Sequence, residues 1–215
     1  MSGIVVHGVP GSPYLRSALL GLEEKQLPYR LAAMPFGTAH SAEHLARHPF
    51  GRIPVLDDGD FRLYETQAIL RYIDSLSPHN LLQPRDAKAA ARMNQVAGIV
   101  DWYVFPQVTV KITAERLMSH AFWGRPANEE TVAGAIPTAR TCITELARLK
   151  GSSPFIAGDC VSIADLMLAP QLIMFGITPE GQTLLKETGL EEWAARMSAR
   201  PSLQATERER LMQAA

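Results

Sequence analysis

The sequence predicts a small α/β domain followed by an all-helical one. Three observations carry this. Strand and helix signals alternate through the first part of the chain, the helix signal stops at Ser77-Pro78-His79-Asn80, and no convincing strand pattern follows. With 215 residues, 47% of them hydrophobic, the chain is long enough for two domains of ordinary size. The reading places residues 1–77 in the first domain, 78–86 in a linker through Leu81-Leu82 and Gln83-Pro84, and 87–215 in the helical domain.

The first strand signal is Ile4–His7. A helix follows from Pro13 to Lys25, with Leu15, Ala18, Leu19 and Leu22 on one stripe and Gly21 as its single weak position. Next come a strand around Tyr29–Leu31, a short helical stretch near Ala42–Arg47, and two strands joined by the Asp58-Gly59 turn signal. Glu65 closes that hairpin and Thr66 opens a helix with the stripe Ala68, Ile69, Tyr72, Ile73, Leu76. In the second domain Ile136, Ala139, Ile143 and Leu146 form a helical stripe. Ile163 to Phe175 is apolar almost all round, as a central buried helix would be, with Pro170 inside it as an expected bend. Ser162-Ile163-Ala164-Asp165 is its start signal, a structural cap.

The formal net charge of -1 offers no basic stripe for nucleic acid, and Glu207-Arg208-Glu209-Arg210 alternates in sign as a solvated helix face does. No apolar run reaches the roughly 20 residues of a membrane span. Met1-Ser2-Gly3 leads into Ile4-Val5-Val6 without a basic signal start, so a cytoplasmic protein without membrane or nucleic-acid partners is expected. Cys142 and Cys160 are spaced for neither a CxxC pair nor a zinc set; both are expected to be reduced, buried and structural.

Two short runs describe a seat for a small anionic peptide. In Arg52-Ile53-Pro54, a cis Ile53-Pro54 bond would leave the N–H and C=O of Ile53 open to an extended ligand. At Tyr64-Glu65-Thr66, a carboxylate can dock on the Thr66 hydroxyl and the free N–H groups of a helix start. Taken singly, Pro54 reads as a trans turn residue and Thr66 as a plain N-cap; their occurrence in one hairpin favours the ligand reading. A third run, Ser12-Pro13-Tyr14-Leu15, resembles the Cys-Pro-Tyr-Cys motif of glutaredoxins, with Ser and Leu in place of the thiols. Dithiol chemistry is therefore excluded, yet a hydroxyl at a helix amino end can donate to a bound thiolate. Ser12 is the first candidate and Tyr14 its rival.

The stretch His48-Pro49-Phe50-Gly51-Arg52-Ile53-Pro54-Val55-Leu56, then Asp58-Gly59-Asp60 and Leu63-Tyr64-Glu65-Thr66-Gln67-Ala68-Ile69, resembles the N-P-x-G-x-[IV]-P-x-L and L-x-E-S-x-A-I pattern of cytosolic glutathione transferases, nearest to their serine-dependent, phi-like branch. Ala157-Gly158-Asp159 with Ser162-Ile163-Ala164-Asp165 is similar to that family's G-D-x-x-S/T-x-A-D helix start, so the resemblance spans residues 4 to about 200. It implies a thioredoxin-like N-terminal domain packed on a helical C-terminal domain, usually as a homodimer, with glutathione as co-substrate and no metal. Carried over, Ser12 faces the glutathione sulfur, Ile53 pairs with the cysteinyl backbone ahead of cis Pro54, and Glu65 and Thr66 hold the γ-glutamyl end. His40 and Arg52 meet the glycyl carboxylate. Val9, Phe36, Tyr103, Gln107 and Val110 would line the electrophile pocket, the last three sharing a helical face at i, i+4, i+7.

Departures from the pattern are Thr66 for Ser, Arg52 for Gln and His48 for Asn. Phe50 reads either as an anchor inserted into a partner subunit or as intradomain packing. The implied activity is conjugation of glutathione, as thiolate, to small hydrophobic electrophiles. The alternatives are a non-catalytic glutathione-binding or interaction protein, or a glutathione-dependent isomerase, dehalogenase or peroxidase.

Overall fold

The computed structural model describes residues 3–214. Met1-Ser2, part of the stretch read for a basic signal start, and Ala215 lie outside the described residues. The chain forms two compact units, one running up to Gln83 and taking in the residues from Ala199 onward, the other spanning Pro84–Ser198.

The first unit is built on a four-stranded sheet of β1 (Ile4–Gly8), β2 (Tyr29–Ala33), β3 (Val55–Asp58) and β4 (Phe61–Tyr64) in the order β2-β1-β3-β4. β1 and β2 run parallel, joined by helix α1 (Pro13–Glu24), while β3 is antiparallel to both β1 and β4. A short helix α2 (Ala42–Leu45) precedes β3, and α3 (Thr66–Ser75) follows β4. Val6 and Leu56 of the sheet pack with Leu15, Leu19 and Leu22 of α1 and Ile69 and Ile73 of α3, forming one core. The expected α1 stripe is fully buried. On α3 the buried face is shifted, because Leu70 is covered and Leu76 is 39% exposed. Gly21 is the reason α1 and α3 can approach there: a Cβ at that position would come within 2.7 Å of Leu70 Cδ2. At the far end of both helices Lys25 Nζ meets Asp74 Oδ1 at 2.8 Å in the interior, and Asp74 also accepts from Leu82 N and Gln83 Nε2.

The C-terminal residues correct the expected boundary. Helices α10 (Pro201–Ala205) and α11 (Arg208–Ala214) belong with the sheet unit, not with the helical one, because polar groups of α1 hold them. The Arg200 guanidinium donates to both Glu24 oxygens at 2.8 and 2.6 Å, and Ser202 Oγ donates to Glu24 at 2.5 Å. Arg16 donates to Leu203 O at 2.7 Å and to Thr206 Oγ1 at 3.3 Å, and Leu211 enters the core.

The second unit is helical, with one isolated bridge between Phe155 and Gly158 and no strand among the described residues. It comprises α4 (Ala87–Ile99), a π-helical stretch Val100–Thr113, α5 (Ala114–Trp123), α6 (Glu129–Lys150), α7 (Ile163–Phe175), α8 (Pro179–Thr188) and α9 (Leu190–Ser198). α7 is continuous through Pro170 and buried along nearly its whole length. Asp165 anchors it, accepting from the N–H of Ile156 and of Ser162, from Ser162 Oγ and from Trp193 Nε1 at 2.8–3.0 Å. Complete burial pushes the Asp165 carboxyl above its ordinary value, with those four donors pulling the other way. On α6, Ala135 takes the buried place expected of Ile136. Cys142 is buried as expected, whereas Cys160, in the loop before α7, is exposed. Among the described residues no helix is long and apolar enough to cross a membrane.

Candidate functional site

Strand register brings four chain segments to one edge of the sheet. His7 pairs with Val55 and Val55 with Tyr64, so the end of β1, the start of β3 and the end of β4 lie side by side; Gly8 opposite Ala33 adds the end of β2. Ser12, His40, Arg52-Ile53-Pro54 and Glu65-Thr66 all issue from that edge. At about 4.8 Å between strands the edge spans on the order of 14 Å, against about 10 Å for an extended tripeptide.

Ser12 occupies the N-cap of α1, with φ -67 and ψ 127, and Pro13 takes the first helical position. Its Oγ accepts from Leu15 N at 3.4 Å, longer than an ordinary hydrogen bond, so the cap uses one lone pair weakly and leaves the hydroxyl proton to donate elsewhere. Ahead of it Gly11 holds φ +98, and the Arg208 side chain lies where a Gly11 Cβ would project.

The Ile53-Pro54 bond is cis and Pro54 is buried. β3 begins only at Val55, and among the described residues no backbone hydrogen bond uses the N–H or C=O of Ile53. The preceding carbonyl, of Arg52, is taken by His44 Nε2 at 2.7 Å. That contact ties α2 to the turn and leaves the Ile53 peptide as the open one.

Thr66 is not the N-cap; Glu65 is, at φ 72, and its side chain makes no cap hydrogen bond. The Glu65 side chain is thus not used as the cap of α3 and is exposed at a backbone φ that L residues rarely adopt. Thr66 is buried, so its extra methyl is accommodated within the fold. Beneath this corner the His48 ring stacks on Tyr64 with centroids 4.5 Å apart, and its Nδ1 accepts from Phe50 N at 3.4 Å. Burial pushes the His48 imidazole below its ordinary pKa while Glu65 pulls it up. His48 in place of Asn is thus a packing group under the turn.

His40 and Arg52 meet around Gly51. A Cβ on Gly51, whose φ is +60, would strike His40 Nε2 at 2.8 Å and Cδ2 at 2.7 Å. Both side chains are exposed. Phe50 is 67% exposed yet edge-on to both Tyr64 and His48, so intradomain packing holds it without covering it.

The five electrophile candidates divide between the units. Val9 adjoins Ser12, whose N–H donates to Val9 O at 3.0 Å, and Phe36 is half exposed in the loop after β2. Tyr103, Gln107 and Val110 lie on the π-helical stretch, which corrects the expected common face. With i→i+5 bonding, seen where Ala114 N donates to Thr109 O, residues seven apart no longer align as they do on an α-helix. Tyr103 and Gln107 stay one turn apart while Val110 leaves their face. Burial follows the wider turn, recurring at Val100, Val104, Val108 and Ile112. Among the described residues no group of three or more His, Cys, Asp or Glu is gathered to hold a metal ion.

Comparison with known proteins bears on what this edge is for. Residues 6–81 match the model of the glutathione S-transferase N-terminal domain, and residues 129–204 that of the C-terminal domain. A probable glutathione S-transferase, GSTF1 of Oryza sativa subsp. japonica, is 30% identical over 94% of this chain and 94% of its own length. The chain belongs to the glutathione S-transferase family. Another relative is the glutathione S-transferase GstB of Escherichia coli K12, 27% identical over 93% of this chain and 95% of its own length. Among solved structures, a glutathione S-transferase-I bound with lactoylglutathione superposes with a TM-score of 0.83 at 25% identity, covering 95% of this chain and 98% of that one. Glutathione transferase F7 from Populus trichocarpa shares the fold, with a TM-score of 0.84 at 23% identity over 94% and 97% of the two chains. The first unit is accordingly the thioredoxin-like domain of a glutathione S-transferase and the second its helical domain. The features missed by sequence reasoning are Glu65 at positive φ and the return of Arg208 to Gly11. The Pro10-Gly11-Ser12 run signals a special backbone at Gly11, but no local pattern reports which distant side chain lies over it.

Proposed function

We propose that this glutathione S-transferase seats glutathione along the shared strand edge and conjugates its sulfur, as thiolate, to small hydrophobic electrophiles. The observation that carries the reading is the convergence of the Ser12 helix start, the open Ile53 peptide and the Glu65-Thr66 helix start on one edge. Ile53 pairs with the cysteinyl backbone like an added strand, and the γ-glutamyl carboxylate lies on the Thr66 hydroxyl and the first N–H groups of α3. Glu65 receives the γ-glutamyl ammonium, and His40 and Arg52 face the glycyl carboxylate. This orientation lays the sulfur at Ser12.

A free thiol has a pKa of about 8.5, so two units of depression make the thiolate the majority form at neutral pH. A hydrogen bond to a charged acceptor contributes roughly 1.5–3 kcal/mol and a helix amino end roughly 0.3–1 kcal/mol more. Together these reach the roughly 2.7 kcal/mol that two units represent, so no general base is required. Val9 and Phe36, beside Ser12 and in the loop after β2, supply apolar contacts to the electrophile. The protein acts in the cytoplasm as a homodimer with the exposed Phe50 as its anchor.

Titrating the protein with glutathione while following thiolate ultraviolet absorbance tests binding and activation together. Conjugation consumes glutathione stoichiometrically with adduct formation from a chloronitrobenzene; return of glutathione unchanged would reassign the reaction to isomerisation, and absence of a thiolate signal would end the reading.

A further inference from the structure

A cation that belongs to none of the motifs approaches the same edge. The Cδ, Nε and Cγ atoms of Arg208 lie 3.1, 3.4 and 3.9 Å from the place a Gly11 Cβ would occupy, one residue before Ser12. Gly11 is needed twice over, for φ +98 and for the room that the arginine stem takes. The segment bearing Arg208 is held on α1 by Arg16, which donates to Leu203 O and Thr206 Oγ1, and by Leu211 in the core. On α1 there is Arg16, with burial pushing its guanidinium below the ordinary value and Glu207 and Glu209 pulling it up, and no acidic residue stands in the first turn. Among the described residues Arg208 has no ion-pair partner. A guanidinium without an ion-pair partner beside the positive end of a helix is well placed to meet an anion.

We propose that Arg208 is part of the glutathione site, its guanidinium lying beside the bound sulfur and holding it as the thiolate together with Ser12 and the amino end of α1. This rests on the reading of the Ser12 edge given above. On binding, the thiol proton leaves to solvent. The group is exposed and therefore partly screened, so its share is about half a pKa unit, or about threefold in the thiolate-to-thiol ratio.

Arg208→Gln in the full chain tests this. The thiol pKa of bound glutathione, read from thiolate absorbance against pH, is expected to rise by about half a unit and kcat/KM near pH 7 to fall about threefold. Both differences are expected to fade with added salt, and the rate difference to vanish at alkaline pH where the thiol is ionised regardless. Arg208→Lys is expected to restore most of the loss, and Arg210→Gln, at an exposed position of the same helix, to behave as the parent. A purely structural role for Arg208 would lower folded protein or turnover without moving the bound thiol pKa. An unmoved thiol pKa in Arg208→Gln overturns the inference. If Ser12→Ala loses the thiolate while Arg208→Gln keeps it, the glutathione reading stands alone; if the parent protein shows no thiolate, both fall.

Discussion

Replacing Ser12 by Ala separates its two roles by size. As a cap, Oγ meets Leu15 N at 3.4 Å, so its loss belongs at the low end of the capping range, about 0.5 kcal/mol, and the protein stays folded. As a donor to sulfur, the hydroxyl makes a hydrogen bond to a charged acceptor, roughly 1.5–3 kcal/mol. Removing it raises the pKa of the bound thiol by about one to two units and lowers kcat/KM at neutral pH by about 10- to 150-fold. The helix amino end is untouched, so a remnant of activation remains. The assay is chloronitrobenzene conjugation as a function of pH, paired with the thiolate titration and a denaturant unfolding curve. A parent-like thiol pKa and rate in a folded variant would refute the assignment and move the role to Tyr14, in the first turn of α1.

Other outcomes follow from the same geometry. Thr66→Ala removes the hydroxyl at the α3 start, so the KM for glutathione is expected to rise about tenfold or more with kcat nearly unchanged; an unchanged KM would dismiss Thr66 from the site. Asp74→Asn strands Lys25, whose side chain is 0% exposed, and is expected to cost about 3–5 kcal/mol in urea unfolding; a far smaller loss would show that Lys25 finds solvent. Glu115 accepts two hydrogen bonds from Arg125 and one from Asn128 N, which hold its carboxyl down to about 2. Since the folded value lies below the unfolded one, its stabilisation is present above about pH 4.5 and is lost as pH falls toward 2. The stability gap between the parent and Glu115→Gln is expected to close across that window, and a gap constant with pH would contradict the pairing.

Much of this site was legible in one dimension. Ser12 ahead of Pro13 is a cap signal, and Ile53-Pro54 and Glu65-Thr66 fall in a hairpin whose turn is marked by Asp58-Gly59. Leu15, Ala18, Leu19 and Leu22 repeat at helical spacing and are buried together. Other expectations changed once the chain was folded. The Tyr103, Gln107, Val110 face assumed 3.6 residues per turn, whereas backbone bonding over Val100–Thr113 is i→i+5. Leu70 replaces Leu76 on the buried side of α3 because Gly21 of α1 makes room for it. Nothing near residue 199 marks a change of unit, since the partners that draw the segment to the sheet domain, Arg16 and Glu24, lie on the first helix.

The sequence by itself determined the order of strands and helices, the break after the hairpin helix, and which residue types stand at each helix start, because capping, turn chemistry and apolar period are properties of neighbours along the chain. Tertiary structure alone decided that the C-terminal helices leave the helical unit to lie on α1, that Arg208 covers Gly11, and that Glu65 takes the cap position at positive φ. Those outcomes depend on buried charges finding partners and on side chains sharing space across the whole length of the chain, which no local pattern of residues encodes.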